Sequence, residues 1–241
     1  VSLLTIVQTA ARLCNIQPIP NAAYSSSDAT IQQLVALISQ TGIELMERGS
    51  WRNLKIEGTV TGDGVSTEFA LPADWQRLCP TDSPQQSPFV SLARPTIPIL
   101  GPVSDEDLNI RKALPLAGLF PVWRFIGGAL EFWPALPDAE TLTFWYYSKN
   151  WVLSADGTLR RPDWAADDDV SLINENTVAL GAVWRYKQSK GLDYAEAFRA
   201  YEMSFMRNLA QEGTGRTVSM TANRPWPDDY WPGVITSSTA T

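Results

Sequence analysis

The apolar residues of this chain change their period twice, and that order, helical then strand-like then helical, most limits what it can fold into. From Leu3 to Cys14 the positions Leu4, Val7, Ala11 and Cys14 recur at helical spacing and stop before Pro18 and Pro20. A polar link from Tyr24 to Ser27 leads to Asp28, which can cap a second helix with the stripe Ile31, Leu34, Val35, Ile38 and Leu45, ending near Gly49. The proline-broken loop between them predicts an antiparallel pair with Trp51 over its open end.

The period then shortens. Lys55 to Thr61 and Thr67 to Leu71 read as the arms of a hairpin around Gly62-Asp63-Gly64. Asp74 to Leu78 reads as a short helical turn after Pro72, and Pro80 to Pro102 as an irregular excursion. Trp123 to Ile126 and Ala129 to Trp133 flank Gly127-Gly128, a two-residue hairpin turn, and Leu142 to Tyr147 adds a further strand. Helical spacing returns at Glu175 to Lys190, closed by Gly191. Asp193 and Glu196 form a capping box for a last helix to about Glu212, with the stripe Tyr194, Phe198, Tyr201, Phe205 and Leu209. From Gly213 onward there is no periodicity.

The predicted fold class is therefore α+β: an antiparallel helical bundle with an inserted small antiparallel β domain and an extended C-terminal arm. The expected divisions are 1–53 (helical pair, one bundle half), 54–153 (inserted β domain), 154–212 (helical pair, the other half) and 213–241 (arm).

Composition excludes much chemistry. The chain has 241 residues and no histidine, so a Ser-His-Asp triad, a Cys-His dyad, a histidine zinc site and an imidazole pH switch are all ruled out. Cys14 and Cys79 stand alone and read as reduced core thiols, neither a metal-ligand pair nor a disulfide framework. There is no phosphate-binding glycine loop, no dinucleotide fingerprint and no nucleophile elbow. Net charge is −7 with no basic cluster, which argues against tight nucleic-acid binding. No apolar run approaches the about 20 residues that span a bilayer, and no charged n-region precedes an apolar stretch, so a soluble chain without export signal is expected.

Three constellations could still carry function. Asp163, Asp167, Asp168 and Asp169 could hold a divalent cation or divide acid and base roles. Their spacing fits no calcium loop, and acids before a helix are favoured by its N-terminal partial charge, which is the reading adopted. Trp123, Trp133, Trp145 and Trp151, with carboxylates nearby, could line a carbohydrate groove, since a glycosidase needs two acids and no histidine. Rings in strands more often fill a core or a subunit interface. The tail combines Asn223-Arg224-Pro225-Trp226-Pro227 with Tyr230-Trp231-Pro232, suited either to anchoring in another chain's pocket or to folding back on the parent domain.

The run Ala166-Asp167-Asp168-Asp169-Val170-Ser171-Leu172, followed by Ala182-Val183-Trp184-Arg185-Tyr186-Lys187-Gln188-Ser189-Lys190-Gly191-Leu192-Asp193-Tyr194-Ala195, resembles the head-to-tail adaptor (head completion) proteins of tailed bacteriophages. Leu71-Pro72-Ala73-Asp74-Trp75, Phe132-Trp133-Pro134 and Tyr146-Tyr147-Ser148-Lys149-Asn150-Trp151 are similar in order too. The resemblance covers most of residues 1 to 212 and is strongest over 163 to 205. It implies a non-enzymatic virion protein at the portal vertex, made in the host cytoplasm and self-associating as a dodecameric ring beneath the portal protein. Genomic DNA would pass through its channel without sequence-specific binding, and tail nozzle or tail tube proteins would meet the β domain. The arm would dock on the portal, with Arg216, Arg224, Trp226, Tyr230 and Trp231 as its interface residues. No catalytic residue, cofactor or metal is implied. The alternative is a carbohydrate-active (cell-wall glycan) hydrolase or glycan-binding module using the aromatic residues and paired carboxylates.

Overall fold

A computed structural model describes residues 2–81, 87–113 and 120–212. Arg216, Arg224, Trp226, Tyr230 and Trp231, with the rest of 213–241, lie outside the described residues. The protein is a mixed α+β fold of helices and antiparallel sheets.

Four helices share one apolar core. Helix α1 (Leu3–Leu13) buries Leu3, Ile6, Val7, Ala10 and Ala11, a face shifted slightly from the expected stripe, and leaves Leu4 and Cys14 half-buried. Helix α2 (Ala29–Arg48) starts as expected: the Asp28 carboxylate accepts from the Thr30 amide at 2.7 Å. At its other end the buried Trp51 indole donates to the Leu45 carbonyl at 2.6 Å, covering a helix terminus as the sequence suggested. Helix α4 (Glu175–Ser189) is central, because α1, α2 and helix α5 (Ala195–Glu212) all pack on it. That position accounts for its small buried residues Ala179, Gly181 and Ala182. The Asp193 carboxylate accepts from the Ala195 amide two residues on, in place of the expected partner three residues on. Within α5 only Tyr201 and Phe205 of the expected stripe are fully buried.

The strands form three antiparallel sheets where one was expected. In the first, β7 (Thr141–Ser148) is the middle strand: β1 (Lys55–Thr61) pairs along one side, from Lys55 opposite Tyr147 to Thr61 opposite Thr141. Along its other side lie β3 (Trp75–Leu78) and β4 (Phe89–Ser91). In the second sheet, β6 (Ala129–Trp133) lies between β5 (Val122–Ile126) and β2 (Glu68–Ala70). The β5–β6 turn is Gly127-Gly128, both at positive φ (57° and 83°), as a two-residue turn of this kind requires. The third sheet is small: β8 (Val152–Leu153) pairs with β9 (Arg160–Arg161) and with β10 (Val170–Ser171).

Three local expectations are corrected. Residues 55–61 and 67–71 are not a hairpin, because β1 pairs with β7 and β2 with β6. The intervening turn forms, with the Asp63 carboxylate accepting from the Val65 and Ser66 amides, but it carries the chain from one sheet to the other. Residues 75–78 are a strand, not a helical turn. The excursion after Pro80 contains β4, and beyond it lies a helix α3 (Asp105–Ala113), outside every expected element.

The two larger sheets enclose a second core of Phe89, Trp123, Leu130, Phe132, Leu142, Phe144 and Tyr146. Phe89 meets Trp123 and Phe132 edge-on, with ring centroids 4.9 and 5.1 Å apart. Among the described residues no helix is long and apolar enough to cross a membrane.

Candidate interaction surfaces

The acidic cluster ties loops together. The Asp167 carboxylate accepts from the backbone amides of Ala23 and Tyr24 at 2.9 and 2.6 Å, fixing the link between α1 and α2. Buried Asp169 accepts from the Ala165 and Ala166 amides at 2.7 and 2.9 Å, and Arg161 lies 3.5 Å away. Asp163 accepts from the Ser39 hydroxyl of α2 at 2.7 Å, and Asp168 is exposed. Asp163 and Asp167 thus hold the segment before α4 against α2 and the α1–α2 link, Asp169 braces the segment internally, and among the described residues no three acidic or cysteine side chains are placed to hold a metal ion. Cys14 and Cys79 are free thiols, half-buried and buried, and burial raises the pKa of both.

The four tryptophans do not converge. Trp151 lies in the helical core and Trp123 in the sheet core, so neither can offer a ring face to a sugar. Trp133 is half-buried beneath the Lys112 ammonium at 5.3 Å. Trp145 alone is open, 45% exposed on the outer face of the first sheet, with the Lys55 ammonium 4.9 Å from its ring.

A polar junction fastens α5 to α2 and α4. Arg185 of α4 is buried and donates to the Thr41 hydroxyl at 2.9 Å, to the Gly181 carbonyl at 3.1 Å and to the Glu44 carboxylate. Glu44 also accepts from Arg48 at 2.8 Å and from the Tyr201 hydroxyl at 3.1 Å. Arg48 then reaches α5, donating to both oxygens of Glu202 at 2.8 and 2.9 Å. Burial pulls the Arg185 pKa down, and the Arg48 hydrogen bond holds the Glu202 carboxyl below its ordinary range. The readable trace of this junction is the pair Glu44 and Arg48, one helical turn apart on α2, facing a basic residue set between Trp184 and Tyr186.

Two similar clamps secure the irregular parts of the sheet region. Glu131 on β6 accepts from Arg124 at 2.5 Å and from Lys112 of α3 at 3.0 Å, which docks α3 on the hairpin. Glu140 accepts from Arg94 at 2.5 and 2.9 Å and from Ser91 at 2.5 Å. Burial opposes both carboxylates, yet these donors outweigh it and hold both pKa values low.

Three surfaces remain without a partner among the described residues. The outer face of the first sheet carries Thr59, Thr143, Val90 and Trp145. Helix α5 turns Met203 and Met206, each more than half exposed, outward on the side opposite Tyr201 and Phe205. Helix α2 lines an open groove of about 590 Å³ with Val35, Ala36 and Ile43, closed at one side by Tyr24 and Asp163. An outward ridge on one helix and a groove on another are the two unlike surfaces that head-to-tail association uses.

A family model described as SU10 adaptor protein matches residues 1–226. No curated protein matches the chain.

Proposed function

From the premise that the chain belongs to the SU10 adaptor protein family, a phage head-to-tail adaptor family, we propose that it is a ring-forming adaptor of the virion, seated beneath the portal protein. The match over 1–226 carries this reading, because it spans every described element and part of the segment that follows. In the proposal the four helices act as an antiparallel bundle and framework. Unlike faces of α2 and α5 meet between neighbouring subunits of a dodecameric ring. The sheet region faces the tail nozzle or tail tube proteins. Residues 213–241 form the portal-docking arm, with Arg216, Arg224, Trp226, Tyr230 and Trp231 at its interface. A net charge of −7 suits a channel that DNA must slide through, since a basic lumen would retain the polyanion.

No proton-transfer chemistry is needed for such a role, and a chain without histidine fits it. The test is association with a purified portal ring, followed by the mass of the complex. The full chain is expected to bind, and the double substitution Trp226→Ala/Trp231→Ala to weaken binding about tenfold or more. Equal binding by both would remove the docking role of these tryptophans.

A further inference from the structure

The ridge on α5 and the groove on α2 carry opposite charges. On α5, Arg199, Met203 and Arg207 stand at successive turns of one exposed face, with Met206 beside them. Neither arginine has an acidic partner among the described residues. On α2, Gln40, Ile43 and Glu47 belong to the exposed stripe that includes the groove. Glu47 lies one turn beyond Ile43, and Asp163 lies at the opposite end, held there by the Ser39 hydroxyl at 2.7 Å. Both carboxylates are exposed, and neither forms an ion pair among the described residues. Arg48, next to Glu47, is already held by Glu44 and Glu202.

The intervals match as well as the signs. Ser39, which holds Asp163, and Glu47 are eight residues apart, as are Arg199 and Arg207. Each pair of charges is therefore separated by about 12 Å along its helix. Midway between them stands one apolar residue, Ile43 on α2 and Met203 on α5, four residues from either end. Glu196 lies outside the matched interval, beyond Arg199. Were the two faces in contact within one chain, both would be covered, yet both are exposed. Only a second copy can bring them together.

We propose that α5 of one copy lies along the α2 groove of the next, with Met203 against Ile43 and with Arg199 and Arg207 paired to the carboxylates of Glu47 and Asp163. The proposal rests on the ring reading above and supplies its contact. Like faces repel: α5 against α5 sets arginine against arginine, and α2 against α2 sets carboxylate against carboxylate. The charge pattern thus selects a head-to-tail contact, which can close a ring, and rejects a two-fold dimer through either face.

Sedimentation of the full chain over a concentration series tests this. The wild type is expected to self-associate below about 1 mM, the weak end of specific pairing. Glu47→Arg, Arg199→Glu and Arg207→Glu should each raise the concentration required about tenfold or more, because each sets like charges together. All three side chains are exposed and lack an ion-pair partner among the described residues, so the fold does not depend on them. Glu47→Arg mixed with either Arg199→Glu or Arg207→Glu should associate as the wild type does, and the mixture that recovers fixes the direction of α5 along α2. A wild type monomeric up to that concentration, reversals without effect, or reversals that neither mixture rescues would each overturn the inference. Portal binding is scored separately. A chain that binds the portal ring but ignores the reversals keeps the adaptor role and loses this contact. A chain whose association obeys them without binding the portal keeps the contact and loses the role.

Discussion

The helical core and the sheet core are closed in different ways. Around the first, α1, α2 and α5 pack on α4, and the one guanidinium buried among them, Arg185, has acceptors on α2 and α4. Around the second, aromatic rings fill the space between two sheets, yet one sheet keeps an open outer face and an unpaired strand edge. The helical unit therefore keeps its interior satisfied around Arg185 and carries its open surfaces, the Met203 and Met206 ridge and the α2 groove, on the outside. In the first sheet, by contrast, backbone donors at the strand edge itself lack a partner among the described residues, which something else is expected to supply.

The largest effect is expected inside the helical core. Trp151 is fully buried, meets Trp164 edge-on at 5.0 Å and lies so close to Gly42 that a side chain there would overlap its ring. Trp151→Ala is expected to cost about 3–5 kcal/mol in denaturant unfolding. A loss below about 1 kcal/mol would mean that this core is not the closed framework described.

A smaller effect is expected at the junction. Removing one member of a buried ion pair commonly costs about 3–5 kcal/mol. Glu44, however, is about one-third exposed and keeps Arg48 and Tyr201, so Arg185→Ala should cost about 2 kcal/mol. Arg185→Lys should not restore it, because a single ammonium cannot reach Thr41, Gly181 and Glu44 together.

The smallest effect comes from pH and should appear in the sheet region first. Glu131 and Glu140 have lower pKa values folded than unfolded, so the unfolded chain takes up protons more readily as the solution is acidified. Their contribution is fully present above the unfolded carboxyl value of about 4.3 and is lost as pH falls through the folded values. Glu131→Gln/Glu140→Gln should lower stability at neutral pH and flatten its acid dependence. An unchanged acid limb in unfolding midpoints measured from pH 7 downward would show that the clamps contribute nothing.

What the sequence disclosed follows from how local each signal is. The helical spacings of 31–45 and 175–190, the Asp28 cap and the Gly127-Gly128 turn are settled within a few residues, and the structure agrees with them. Strand partners are settled far away. The turn at Asp63 forms, but β7 offers β1 a seven-residue partner that the three-residue β2 cannot. Helix α3 escaped notice because Leu108 is its single buried residue, although acids in its first turn and bases in its last were legible.

Among the functional candidates, the acids at 163–169 stood out because carboxylates adjacent in sequence suggest chemistry, yet backbone amides claim Asp167 and Asp169. Arg185 was invisible for the opposite reason: a charge in a helix reads as solvated until its neighbours are known. The free edge of β1 could not be read at all, since an unpaired strand and a paired one share the same alternation.

If this chain is a structural adaptor at the head-tail junction, a reconstruction of the intact virion will show a ring of density beneath the portal into which the four helices and the sheet region fit. A portal vertex with no density for this chain would contradict it.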